Sequence, residues 1–111
     1  MSRDEGYVLD MLEMARRALR HAEGVDRASF ERDERLQDAL IRVIQVLGEA
    51  ARRVGPEFRA AHPEIPWNQI VGMRHKLVHD YFEVDAGEVW LVVREDLPAL
   101  LPLLEALAPE R

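Results

Sequence analysis

A chain of 111 residues with 48% hydrophobic content has enough apolar material for one core, so disorder is excluded and a single domain spanning residues 1–111 is expected. It contains no cysteine, which rules out disulfides and thiolate metal sites, and its charged start and lack of a long apolar run lead to the expectation of a soluble cytoplasmic protein without a signal peptide or membrane anchor. A formal net charge of -6 counts against a general nucleic-acid binder, because nonspecific affinity comes mostly from Lys and Arg neutralising phosphates; any RNA site must therefore be local, and the acidity suits docking to a basic protein partner.

Ser2 with Glu5 three residues on is a capping box, and Val8, Met11, Leu12, Ala15, Ala18, Leu19 and Ala22 then recur at steps of three and four. This predicts a first amphipathic helix ending near Gly24, with Glu13, Arg16, Arg17 and Arg20 on its other face. A second helix is predicted from Ser29, read as a cap, to Val54, along the stripe Leu36, Leu40, Val43, Leu47, Ala50 and Val54, with Gly55-Pro56 as its stop. Gly48 lies inside that helix, where it costs stability but lets another backbone come close, and we read it as a helix-crossing point. The Arg16-Arg17-Arg20, Arg32 and Arg35, and Arg52-Arg53 clusters read as solvated helix faces balanced by acids in preference to RNA grooves.

Pro56 to Ala61 forms a short helical turn closed by Pro63, which disfavours a helical conformation at His62. Pro66, read as the first helical position, opens a third long helix running to Phe82, with Trp67, Ile70, Met73 and Leu77 as its buried stripe. Asp85 with Glu88 three residues on caps a fourth, with Val84 and Val89 placed as a hydrophobic staple. Pro98 and Pro102 fall inside its apolar run and each removes an amide donor, so a kink or break is expected near Asp96. Trp67 and Trp90 read as core anchors, His21 and His62 as surface residues. No segment alternates at period two, and the fold class that results is all-α, an antiparallel bundle of four to five helices.

The chemistry concentrates in Arg74-His75-Lys76-Leu77-Val78-His79-Asp80-Tyr81, an R-x-x-x-x-H-x-Y pattern. A guanidinium holds phosphate oxygens bidentately and an imidazole transfers protons near neutral pH, so the set suits phosphate chemistry. On a regular helix a five-residue step rotates about 140°, which separates Arg74 from His79, whereas Tyr81, seven residues on, nearly shares the Arg74 stripe. Either the helix unwinds near His79, or two copies complete one site across a two-fold axis. Transfer at a phosphate needs one group to take a proton, another to give one, and cations for the developing charge. On spacing alone His79 reads either as a cationic partner of a helix C-terminus or as a general acid or base, Arg74 as a phosphate clamp, and Tyr81 as a hydrogen-bond donor to phosphate. His75 and His79 stand four apart, a spacing that could grip a metal with Asp80 or His62, but the intervening Glu of H-E-x-x-H is missing. Glu49 could orient Arg74 or form a helix-surface salt bridge. No Gly-x-Ser-x-Gly or Gly-rich phosphate loop is present.

Gly48-Glu49-Ala50-Ala51, Ile65-Pro66-Trp67, Gly72-Met73-Arg74, His79-Asp80-Tyr81 and Leu97-Pro98, in that order, resemble the HEPN superfamily and within it the HepT-like toxins. The resemblance implies an all-helical, dimeric ribonuclease that needs neither metal nor cofactor, with Arg74 and His79 catalytic and His75, Glu49 and Asp80 accessory. It also implies a partner, an MntA-like minimal nucleotidyltransferase antitoxin that silences the toxin by adenylylating Tyr81. The commonest family pattern carries Asn after the motif Arg, where this chain has His75. The expected function is a toxin that cleaves RNA as a homodimer or higher even oligomer; the alternative is a noncatalytic nucleotide- or substrate-binding subunit of a two-component nucleotidyltransferase.

Overall fold

Three carboxylates and one hydroxyl decide where four of the helices start. The Ser2 hydroxyl accepts the Glu5 amide at 3.1 Å while the Glu5 carboxylate accepts the Ser2 amide at 2.9 Å, opening α1 (Arg3–His21) with a full capping box. Asp26 accepts the Ser29 amide at 2.7 Å and opens α2 (Arg27–Glu31); Asp33 accepts the Leu36 amide at 3.0 Å and opens α3 (Glu34–Arg53). Asp85 does the same for Glu88 at 3.1 Å, opening α7 (Ala86–Leu91) after α4 (Pro56–Ala61), α5 (Trp67–Val71) and α6 (Met73–Leu77). A π turn (Val92–Asp96) and α8 (Leu97–Leu107) complete the chain; this computed structural model describes residues 1–77 and 83–109.

The expected helix from Ser29 to Val54 is two. The chain breaks at Arg32 and Asp33 because the Asp33 side chain takes an amide of α3 while Gln37 Nε2 donates to the carbonyls of Phe30 (2.9 Å) and Glu31 (3.2 Å), satisfying the end of α2. Ser29 is not the cap; it gives its amide to Asp26.

α1 and α3 run antiparallel, since Asp4 at the start of α1 accepts the Gly55 amide just past α3 at 2.9 Å. α8 lies against α1, also antiparallel: Arg16 meets Glu105 at 3.5 Å, and Arg94, ahead of α8, donates to the carbonyls of Ala22 (3.1 Å) and Val25 beyond the end of α1. Between them Met11, Ala15, Leu40, Ile44, Leu47, Val93, Leu97 and Leu104 are buried, an apolar core with no buried polar or charged residue among those described. Trp90 is only half-buried; its ring packs on Phe30 at 5.2 Å and under Arg94 at 4.5 Å.

Two further expectations change. The third long helix, as far as Leu77, is two short ones that meet at Gly72, where the Gly72 amide still reaches the Asn68 carbonyl (3.0 Å) but the His75 amide turns back to Gly72 itself (3.1 Å). Pro66 is the residue before α5, not its first position, and the Trp67 ring anchors the start by donating Nε1–H to the His62 carbonyl at 3.0 Å. The expected disturbance near Asp96 is the π turn, in which the Leu97 amide bonds to the Val92 carbonyl five residues back. Pro98 brings no amide to this region, and the widened turn absorbs the loss without breaking the helix.

Candidate functional site

α6 owes its orientation to the four-residue spacing of Met73 and Leu77, both buried, which leaves the three residues between them, Arg74, His75 and Lys76, exposed. The preceding α5 is pressed onto α3 at Gly48, where an added Cβ would lie 3.1 Å from the Ile70 carbonyl oxygen. Only glycine permits that approach without displacing backbone, so the reading of Gly48 as a crossing point describes what this residue does. Beyond α6, the Asp85 amide donates to the Leu77 carbonyl at 2.8 Å, tying the start of α7 to the end of the basic helix.

The result is three consecutive cationic or titratable side chains on a chain whose net charge is -6. None of the three makes an ion pair or side-chain hydrogen bond with a described residue, whereas Arg16, Arg52 and Arg53 of the other arginine clusters do. Arg16 pairs with Glu105 at 3.5 Å, and Arg52 and Arg53 pair with Glu49 at 2.6 and 3.4 Å. Glu49 thus sits in a helix-surface salt bridge, and the Arg52 guanidinium bonded to it, with Arg53 beside it, holds its carboxyl below the ordinary value. His79, Asp80 and Tyr81 lie outside the described residues, as does any meeting of Arg74 with His79.

His62 is half-buried, stacked on Phe58 with ring centroids 4.5 Å apart and 3.4 Å from the Glu64 carboxylate. Among the described residues no group of three His, Asp or Glu is placed to hold a metal ion, and no helix is long and apolar enough to cross a membrane.

Arg59 is a residue that periodicity did not single out. It donates Nε–H to the Val54 carbonyl (3.0 Å) and Nη2–H to those of Ala51 (3.0 Å) and Arg52 (2.8 Å), so it closes the C-terminal end of α3 with a positive charge where the helix dipole is negative. Its signal in the sequence was only a cation a few residues past a helix end.

The pattern of one family, Ribonuclease HepT-like, matches residues 11–107. Similar proteins include a candidate RNase of Methanocaldococcus jannaschii, 32% identical over 96 residues that make up 86% of this chain and 88% of that one. A candidate ribonuclease HepT of Thermococcus cleftensis is 43% identical over 75 residues, 68% of each chain. A candidate RNase of Caldanaerobacter subterraneus subsp. tengcongensis is 32% identical over 94 residues, 85% of this chain and 84% of its own. No solved structure matches.

Proposed function

The chain belongs to the Ribonuclease HepT-like family and is a ribonuclease, and from that premise we propose that it is the toxin of a toxin–antitoxin pair, acting in the cytoplasm as one domain. Arg74 holds the scissile phosphate. His79 takes the proton of the neighbouring 2′-hydroxyl, whose oxygen bonds to phosphorus as the bond to the 5′-oxygen breaks; the leaving oxygen receives a proton from the second copy's imidazole. The products are a 2′,3′-cyclic phosphate and a 5′-hydroxyl, formed without a metal ion. Because the reaction uses two proton-transfer groups and the motif holds one His79, the working unit is a homodimer or a higher even oligomer. The partner is a nucleotidyltransferase antitoxin of the MntA-like kind, which places an adenylyl group on the Tyr81 phenol and so puts negative charge and bulk beside Arg74. His75 and Asp80 are accessory to this site, and Glu49 acts through the arginines it holds.

One observation supports this reading above the rest: the family match runs over residues 11–107 and so includes Arg74, which stands exposed on α6. The test is to incubate purified protein with labelled RNA and chelator, before and after treatment with the antitoxin and ATP. Cleavage that survives chelator, leaves cyclic phosphate ends and stops once Tyr81 gains an adenylyl mass is the expected result. Cleavage that needs a divalent ion, or an adenylyl mass that persists in Tyr81→Phe, would sink the mechanism or the switch respectively.

A further inference from the structure

Beside the basic helix lies a cleft of about 340 Å³ between α5–α6 on one side and the π turn with α8 on the other. Its two walls repeat one spacing. Gln69 of α5 with Met73 and Lys76 of α6 line the first, and Asp96 of the π turn with Leu100 and Leu103 of α8 line the second, each at steps of four and three. Met73 and Leu100 form an apolar floor, and Leu103 is one of the few large hydrophobic residues left exposed among those described. Lys76 and Asp96 share the cleft, yet neither has an ion-pair partner among the described residues, and the Gln69 amide is likewise without a side-chain hydrogen bond there.

A pocket of a few hundred cubic ångströms with apolar walls and a few separated polar groups suits a small planar ligand. The carboxylate of Asp96 repels phosphate, so the end it occupies calls for N–H donors. Lys76 lies two residues from Arg74 in the five-residue α6, so the cleft adjoins the helix that carries the phosphate-binding arginine. Single-stranded RNA offers both chemistries at a fixed distance, because its bases can be splayed out and read on their edges. We propose that this cleft receives the nucleobase adjoining the scissile phosphate, with Lys76 on the flanking phosphate and Asp96 accepting from the base edge. Guanine fits best, since its N1–H and N2–H donors lie side by side and match the two oxygens of one carboxylate, whereas uracil presents a single N–H between two acceptors. The π turn has a part in this: Asp96 is its last residue and Val92, its first, also lines the cleft.

This inference rests on the ribonuclease reading for its substrate, so the test includes a measurement that does not need turnover. Guanosine and uridine monophosphates are titrated into isotope-labelled protein while the methyl signals of Met73, Leu100 and Leu103 are followed, in the wild type and in Asp96→Asn. Oligonucleotides with guanine or uracil on either side of a mapped cut are then cleaved by both proteins. The expected result is methyl shifts with the guanine nucleotide at about tenfold lower concentration than with the uracil one, a preference that Asp96→Asn levels in binding and in kcat/KM alike. Asp96 is exposed and Asn keeps its shape, so the variant folds. Equal response to both nucleotides, an unchanged preference in Asp96→Asn, or methyl signals that ignore both would overturn the proposal. The last result, with a dimer that Leu103→Lys splits, would make the cleft an interface between two copies. If the wild type cuts no RNA, the cleavage mechanism falls, and the titration still decides the subsite.

Discussion

α1 and α3 are 19 and 20 residues long, capped by side chains at their starts and tied to distant parts of the chain, whereas α5 and α6 are five residues each and meet at Gly72. The long pair buries most of its apolar stripe, and Arg16, Glu49, Arg52 and Arg53 on it are held in ion pairs. The short pair buries Trp67, Ile70, Met73 and Leu77 yet leaves Arg74, His75 and Lys76 without acidic partners among the described residues. The difference separates two tasks. Isolated helices of five residues have no stability of their own, so α6 exists because its anchors are held by α3, and it can carry unpaired charge because the longer helices carry the fold.

Exchanging the tasks by mutation is the strongest way to break that comparison. Arg74→Ala should lower RNA cleavage at least about a hundredfold while moving unfolding free energy by less than about 0.5 kcal/mol. Leu47→Ala, in α3 and 1% exposed, should instead cost about 3 kcal/mol of stability by denaturant melt, with cleavage per folded molecule retained. Were Arg74→Ala to unfold the protein, the division would be false.

A smaller effect is expected at the end of α3. Arg59→Ala removes three bonds to carbonyls and should cost about 2 kcal/mol; Arg59→Lys, with fewer donors in a different geometry, should recover only part. Gly48→Ala links the two regions. The methyl would meet a backbone oxygen at 3.1 Å, so α5 must move by a few tenths of an ångström; the strain outweighs the helix-propensity gain, and we expect a net loss of about 1 kcal/mol by thermal melt. Cleavage should fall more than that stability loss explains, because α5 leads directly into α6. Wild-type stability and activity in Gly48→Ala would show that the crossing is not tight.

The smallest effect concerns pH. The Glu5, Asp26 and Glu49 carboxyls lie below their ordinary values of 4.5, 3.8 and 4.5, owing first to the Ser2 backbone, the Ser29 backbone and the Arg52 side chain respectively. A carboxyl depressed in the folded state adds stability that is present above its unfolded value and is lost as pH falls through the folded one. The melting temperature should therefore be flat from pH 7 to about 5 and decline below about 4. Asp26→Asn, which still caps α2, should make that decline shallower. A decline that begins near pH 6 would place the titrating group elsewhere, on a histidine.

The sequence disclosed most where a local rule operates. Ser2 with Glu5 and Asp85 with Glu88 announce helix starts, and the buried stripes follow from spacing. The break at Arg32 and Asp33 was hidden because Leu36 continues a periodicity that reads as one helix, and the interruption depends on Gln37 reaching back to α2. Gly72 was hidden in the same way, by an unbroken stripe from Trp67 to Leu77. Arg59 makes bonds that no periodicity encodes. At the site, the residue types of Arg74 and its neighbours were plain in the sequence, but their lack of acidic partners among the described residues was not, since that depends on where Glu49 and Glu105 point.

The π turn has one more effect, on the phase of the last helix. Val89, Val93 and Leu97 are spaced by fours, a rhythm slower than the regular helical turn, so on an undistorted helix the apolar seam would drift around the cylinder. Five residues wound more loosely hold the seam in line and deliver Leu97, Leu100 and Leu104 to the core that Val89 and Val93 already face. Deleting one residue between Val93 and Leu97 would let an ordinary helix run straight through, with Leu97, Leu100 and Leu104 still facing the core, because the seam would then recur at steps of four, three, three and four. The π turn is therefore the place where this helix holds one residue more than its apolar seam needs.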